Sequence, residues 1–128
     1  MKVNTPVSCG ELIDKLSILK IKKVKIVDEQ KLIQINKEYQ YLNKTYLEIL
    51  DKFPDLDDMF NSLYEINLKL WEIEDNIRIC EKNKNFDKDF IYLARNVYIC
   101  NDSRFEIKNK INEYLNSDVK EQKSYENY

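Results

Sequence analysis

Apolar residues recur at steps of three and four along almost the whole of this 128-residue chain. That spacing places them on one face of an α-helix, which has about 3.6 residues per turn. The chain contains one glycine and two prolines, so few positions interrupt the pattern. It divides into four segments, at about residues 9–27, 28–53, 55–81 and 87–117. The sequence therefore predicts an all-α fold of four helices, followed by a tail at 118–128.

Short polar residues mark where these helices begin. Ser8 stands three residues before Glu11, which is the spacing of a capping box. Asp28 and Asp87 are candidate caps of the second and fourth helices, because a short acceptor side chain can bind the free amides of the first turn. Pro54 is expected to end the second helix.

The connections between the four segments are short, which favours antiparallel neighbours. We expect an antiparallel four-helix bundle or a pair of helical hairpins, with residues 1–128 forming one domain. Residues 119–128 are expected to pack against the bundle rather than fray.

The charges exclude several classes of partner. The 21 basic and 23 acidic residues nearly cancel, so we expect no general binding to nucleic acid. No apolar run approaches the roughly 20 residues that span a bilayer, so membrane insertion is not expected. With no signal-like segment at the start, a cytoplasmic location is predicted.

The residues that are missing exclude several kinds of site. The chain has no histidine, which removes imidazole catalysis and histidine metal ligands. Its single glycine is too few for a phosphate-binding loop. Cys9, Cys80 and Cys100 share no close spacing and are interpreted as reduced thiols. No metal site and no cofactor are predicted.

Polar residues interrupt the apolar faces of the third and fourth helices. On the third helix they are Asn67, Glu74, Arg78 and Glu81, and on the fourth they are Asn101, Arg104, Lys108 and Asn112. A buried ion costs several kcal/mol unless it is paired, so the interruptions indicate either a compensated structural network or a wet cleft.

A hairpin of the third and fourth helices would gather these side chains. It would bring Glu74 near Asn101, and Asn67 towards Arg104, with Trp71 beside them as a packed ring or a stacking platform. The inward ionisable groups sum to a slight positive charge, which would accept an anionic ligand. The predicted ligand-binding residues are Asn67, Trp71, Glu74, Arg78, Asn101, Arg104 and Lys108.

Two other polar groups are interpreted as surface features. Glu11, Asp14 and Lys15 share one side of the first helix and are expected to face solvent, although nearby isoleucines indicate partial cover. Arg95 and Asp102 point away from the core face of the fourth helix and are expected to form a surface pair.

Four segments of the chain carry a resemblance to a known family. They are Pro6–Lys15, Asn67–Arg78, Phe90–Asn112 and Glu121–Tyr125. Together they resemble an uncharacterised family of small bacterial proteins classed only as a domain of unknown function. Members look like neighbours of glycosyltransferase and surface-polysaccharide genes, which implies a role in sugar metabolism. The signature positions of this family add secondary site candidates, namely Glu11, Asp14, Lys15, Asp75, Arg95, Tyr98 and Asp102.

Three functions are compatible with this pattern. The first is a helical binding protein, an accessory factor in sugar or polysaccharide metabolism, whose inter-helix pocket takes a small anionic or polyhydroxy ligand. The second is an enzyme acting on a nucleotide or sugar phosphate. Glu11 with Asp14, and Glu74 with Asp75, are similar to the paired acidic motifs of magnesium-dependent all-α nucleotide pyrophosphatases, at a different spacing. The third is a structural module that binds a protein partner.

Overall fold

A computed structural model describes residues 1–128. The chain forms four helices and no strand, which confirms the all-α prediction. The helices are α1 (Cys9–Lys25), α2 (Glu29–Lys52), α3 (Leu56–Lys82) and α4 (Lys88–Tyr114). None of the four combines the length and the apolar character needed to cross a membrane.

The predicted caps form at three of the four helix starts. The Ser8 hydroxyl accepts a hydrogen bond from the Glu11 amide at 3.1 Å. The carboxylates of Asp28 and Asp87 accept in the same way from amides of the first turns of α2 and α4. These bonds satisfy amides that have no partner inside the helix. Asp55 precedes α3 without a side-chain cap.

Helix α4 ends at Tyr114, three residues before the predicted end. Asn116 has a φ of 49°, in the left-handed region that asparagine tolerates better than most residues. The Ser117 amide then donates to the Asn112 carbonyl at 2.8 Å, as in a Schellman motif. Lys84, with a φ of 53°, ends α3 in the same manner.

Helix α1 lies at the centre and packs against all three other helices. Helices α3 and α4 form one hairpin, and α1 and α2 form another through the short connection after Lys25. Helix α1 runs antiparallel to α4, since Gly10 contacts Asn112 while Asp14 contacts Arg104. The bundle is therefore two hairpins joined through α1, with α2 on the outside.

The apolar core lies where all four helices meet. Its buried members are Leu12, Ile13, Leu16, Tyr46, Leu56, Phe60, Leu63 and Ile111. Those from α3 belong to its first half and the one from α4 lies near its end, so the core occupies one end of the α3–α4 hairpin.

The other end of the hairpin is uncovered because α1 is short. Helix α1 has 17 residues and α3 has 27, which correspond to about 25 and 40 Å at about 1.5 Å per residue. Beyond Ile73 the inner face of α3 thus loses its cover. Glu74, Arg78 and Glu81, predicted to lie inside the bundle, are exposed for this reason.

Candidate functional site

A buried carboxylate, that of Asp14, organises the polar interior. Asp14 is 0% exposed and lies on α1, facing α3 and α4. The guanidinium of Arg104 donates to both of its oxygens, from Nε to Oδ1 at 3.0 Å and from Nη2 to Oδ2. This two-pronged geometry is the strong form of an arginine–carboxylate pair. The hydrogen bond to Asp14 raises the pKa of Arg104.

Neighbouring polar groups supply the remaining hydrogen bonds to Asp14. The Asn67 amide nitrogen donates to Asp14 Oδ1 and to Ser17 Oγ, each at 2.8 Å. Ser17 in turn donates to the Asp14 carbonyl at 2.7 Å. The prediction that Asp14 faces solvent is wrong, because α3 and α4 pack over that side of α1. Ser17 was not identified from the sequence, since a lone serine among leucines carries no distinctive signal.

Lys108 extends the network towards the surface. Its ammonium lies 2.8 Å from both Glu11 and Glu121, and 3.8 Å from Asp14, while its side chain is only 7% exposed. Burial alone would lower the pKa of Lys108, but the hydrogen bonds to the two glutamates outweigh it and raise the pKa. Lys108 is therefore a buried structural cation rather than a free ligand-binding group.

The first turn of α1 is fixed against the end of α4. The Gly10 amide donates to Asn112 Oδ1 at 2.7 Å, and the Cys9 amide donates to Ser117 Oγ at 3.0 Å. A Cβ atom on Gly10 would lie 2.7 Å from the Lys108 carbonyl oxygen. Glycine at this position thus permits the close approach that places Asp14 against Arg104.

A cavity of about 500 Å³ opens above this network, between α1, α3 and α4. Its lining consists of Ile18, Ile21, Asn67, Leu70, Trp71, Glu74, Asp75, Arg78, Asn101 and Arg104. The structure therefore brings together every predicted ligand-binding residue except Lys108, which lies deeper in the network. Ile18 and Ile21 add an apolar wall from α1.

Glu74 and Arg104, both predicted to lie on inward faces of their helices, do not form a pair. Glu74 is 49% exposed and pairs with Arg78 along α3, with Nε and Oε2 separated by 3.6 Å. Arg78 is itself 78% exposed. Arg104 pairs with Asp14 instead, because α1 packs against both helices of the hairpin and brings Asp14 to Arg104.

The charge of the cavity differs from the prediction. Since Asp14 neutralises Arg104, the remaining ionic groups are the carboxylates of Glu74 and Asp75 and the guanidinium of Arg78. Two carboxylates therefore face one cation, and that cation is already paired with Glu74. The expected slight positive charge is not found in this cavity, because the expected set omitted Asp14 and Asp75 and counted Glu81 and Lys108, which do not line it.

The other secondary candidates lie outside this cavity. Lys15 is exposed, 3.9 Å from Glu38 of α2. Arg95 is exposed, and the predicted pair with Asp102 does not form, since Asp102 accepts a hydrogen bond from Tyr128 at 2.5 Å. Tyr98 packs edge to face against the Tyr128 ring.

The two acidic pairs compared with a magnesium site are separated. Glu11 and Asp14 face Lys108 and Arg104, whereas Glu74 pairs with Arg78. No group of three or more histidine, cysteine, aspartate or glutamate side chains is arranged to hold a metal ion.

The C-terminal tail contacts α4 through several side chains. Glu121 binds Lys108, Lys123 sits 5.0 Å from the centre of the Phe105 ring, and Tyr128 reaches Asp102. Glu121 was not singled out as a site residue, although it falls in the last segment that carries the family resemblance.

The whole sequence matches a known protein family. It matches, over residues 1–128, the profile of a family described as a family of unknown function, DUF6165. The chain belongs to this family. No curated protein and no solved structure matches it. The DUF6165 description names no activity, so the geometry of the cavity is the observation from which a function can be inferred.

Proposed function

We propose that the cavity between α1, α3 and α4 binds a neutral polyhydroxy ligand, such as a sugar. The observation that carries this proposal is that Asp14 occupies the one arginine pointing into the bundle. The cavity thus offers acceptors, amides and an indole ring. Its remaining cation, Arg78, is exposed and lies 3.6 Å from Glu74, so a phosphate or a carboxylate would have to compete with that carboxylate.

The lining supplies each contact that a sugar ring requires. The carboxylates of Glu74 and Asp75 can accept hydrogen bonds from hydroxyls, and the Asn101 amide can both donate and accept. Trp71 is partly exposed in the cavity and offers a flat apolar face to the C–H side of a ring. The cavity volume of about 500 Å³ lies in the range of small-molecule sites.

Sugar chemistry also agrees with the family resemblance, which implies proximity to bacterial polysaccharide genes. We therefore extend the proposal to an accessory factor in sugar or polysaccharide metabolism. Catalysis is not part of it, because the most deeply buried acid, Asp14, is tied to Arg104 and Asn67.

The single tryptophan makes the proposal directly testable, because Trp71 is the only indole in the chain and lines the cavity. Methyl glycosides of common hexoses and N-acetylhexosamines, each paired with its 6-phosphate, would be titrated while Trp71 emission and the melting temperature are recorded. A ligand that binds only the folded state raises the melting temperature. We expect at least one neutral glycoside to shift both signals, and to bind more tightly than its phosphate.

Two Trp71 variants separate stacking from folding. Trp71→Ala should weaken binding at least tenfold by calorimetry, which corresponds to about 1.4 kcal/mol, whereas Trp71→Phe should retain most of the affinity. Tighter binding of the phosphates, or release of inorganic phosphate from them, would instead support the enzyme alternative. No response to any compound would favour the protein-interaction alternative.

A further inference from the structure

A second cavity, of about 690 Å³, lies between α4 and the C-terminal tail. Its wall on α4 includes Tyr98 and Asp102, and its wall on the tail includes Lys123, Tyr125 and Tyr128. Three aromatic rings therefore surround a space that the first cavity does not include.

The tail contacts that build this wall are specific. The Tyr98 and Tyr128 rings pack edge to face with their centres 5.3 Å apart. The Tyr128 hydroxyl donates to Asp102, and the Lys123 ammonium lies over Phe105. These contacts attach the tail to α4, and the cavity lies between them.

The two cavities share one residue, Asn101 of α4. On one side of Asn101 lies the cavity that contains Trp71, and on the other side lies the cavity that contains the tyrosines. A ligand that extends past Asn101 would therefore enter both. Its amide nitrogen carries two donor hydrogens that could bind ligand hydroxyls, while its Oδ1 accepts a hydrogen bond from Arg104 Nη1 at 3.5 Å.

Both cavities have the same charge character. In the second one the carboxylates of Asp102 and Glu126 face the single ammonium of Lys123, just as two carboxylates face Arg78 in the first. A ligand with a phosphate or several carboxylates would meet more like charges than unlike ones in either cavity. A neutral chain would not incur that repulsion.

From this arrangement we infer that the two cavities are consecutive subsites for one neutral oligosaccharide of at least two rings. The inference rests on the proposed function and adds the size of the ligand to it. One ring stacks on Trp71, the chain passes Asn101, and a following ring packs against the tyrosines. The aromatic faces select for ring-shaped units, and the shared amide sets the point at which one unit follows the other.

Chain length tests the inference in the full-length protein. Neutral oligomers of one to five rings, built from glucose, galactose or N-acetylglucosamine, would be titrated by Trp71 emission. We expect the affinity for the preferred series to rise at least tenfold from one ring to three or four, and to level off beyond that. Equal affinity at every length would overturn the second subsite and leave the proposed function intact. If no oligomer of any length binds, both the second subsite and the proposed function are wrong.

A matched pair of tyrosine variants shows whether the second cavity produces the gain in affinity with chain length. Tyr98→Ala should reduce the affinity for the longer oligomers to that for one ring, while the affinity for one ring stays unchanged. Tyr92→Ala is the control, since Tyr92 is an exposed tyrosine of the same helix that lines neither cavity. If Tyr98→Ala lowers the affinity for one ring as much as the affinity for four rings, the second subsite is excluded. The same holds if Tyr92→Ala lowers the affinity as much as Tyr98→Ala does.

Discussion

Asp14 is the residue on which the polar interior depends. It is fully buried, yet both of its carboxylate oxygens accept hydrogen bonds, from Arg104 and Asn67. A buried charge is tolerated only when it is paired and hydrogen-bonded. The network therefore fixes how α1 sits in the α3–α4 hairpin, and Asn67 and Arg104 also line the cavity above it.

Replacement of Asp14 tests this role. Asp14→Asn should lower the free energy of unfolding by about 3 kcal/mol, because it leaves the partly buried guanidinium of Arg104 without a counter-ion. Glu74→Gln should lower it by less than about 0.5 kcal/mol, since the Glu74–Arg78 pair is exposed. Urea denaturation measures both. Similar midpoints for the two variants would contradict the assignment of Asp14 as the centre of the network.

Gly10 provides a second test at this scale. Glycine inside a helix normally costs stability relative to alanine. At Gly10 the sign should reverse, because the added Cβ would lie 2.7 Å from the Lys108 carbonyl oxygen. We expect Gly10→Ala to destabilise the protein by about 1–3 kcal/mol. Asn76→Ala, at an exposed position of α3, should be neutral or slightly stabilising. A gain in stability for Gly10→Ala would contradict the close approach of α1 to α4.

Among the elements, the length of α1 determines where the cavity lies. Helix α1 ends at Lys25 and covers only part of the α3–α4 hairpin. Deep in the bundle its side chains fill the core, and towards its C-terminal end Ile18 and Ile21 form one wall of the cavity. The cavity is thus the zone where three-helix packing gives way to an open hairpin.

The tail is an element without regular structure that is anchored by side chains. Glu121 is the only tail residue that reaches the buried Lys108. In Glu121→Gln the tail should therefore detach more often, so that trypsin cleaves after Lys120 and Lys123 several-fold faster. The cost in global stability should stay below about 1 kcal/mol, since Glu11 still pairs with Lys108. Glu126→Gln is the control, and equal cleavage rates in the two variants would exclude Glu121 as the anchor.

At the scale of the whole molecule, alkaline pH should destabilise the fold. Burial raises the pKa of Tyr46, and its hydrogen bond to Asp57 at 3.1 Å raises the pKa further. The pKa of Lys108 is also raised. In both cases the folded state retains a proton that the unfolded state loses above about pH 10. Their contributions are therefore complete below that pH and decline as the pH rises towards the folded pKa values.

Tyr46→Phe isolates one of these groups. At pH 8 the variant should be about 1 kcal/mol less stable than the parent, because it lacks the hydrogen bond to Asp57. The difference in the free energy of unfolding should narrow at pH 11. At that pH the parent has lost part of the contribution of its Tyr46 hydroxyl, which the variant does not have at any pH. Urea midpoints at the two pH values measure this change. A constant difference would contradict the assignment of a raised pKa to Tyr46.

Much of the architecture follows from the sequence alone. The four helices, three of their caps and the inward position of Asn67, Arg104 and Lys108 were predictable. These features depend on the spacing of apolar residues and on side chains within three residues of a helix start. Such interactions are local, so they can be derived from neighbouring residues.

Only the tertiary structure decided the partners of the polar side chains. Asp14 and Arg104 are separated by 90 positions in the chain, and Glu121 reaches Lys108 from a tail that has no periodic pattern. The helical phase of α3 correctly oriented Glu74 but could not reveal that α1 ends too early to cover it. A side chain's orientation is set within its own helix, whereas its burial and its charge partner depend on where the other helices begin, end and cross.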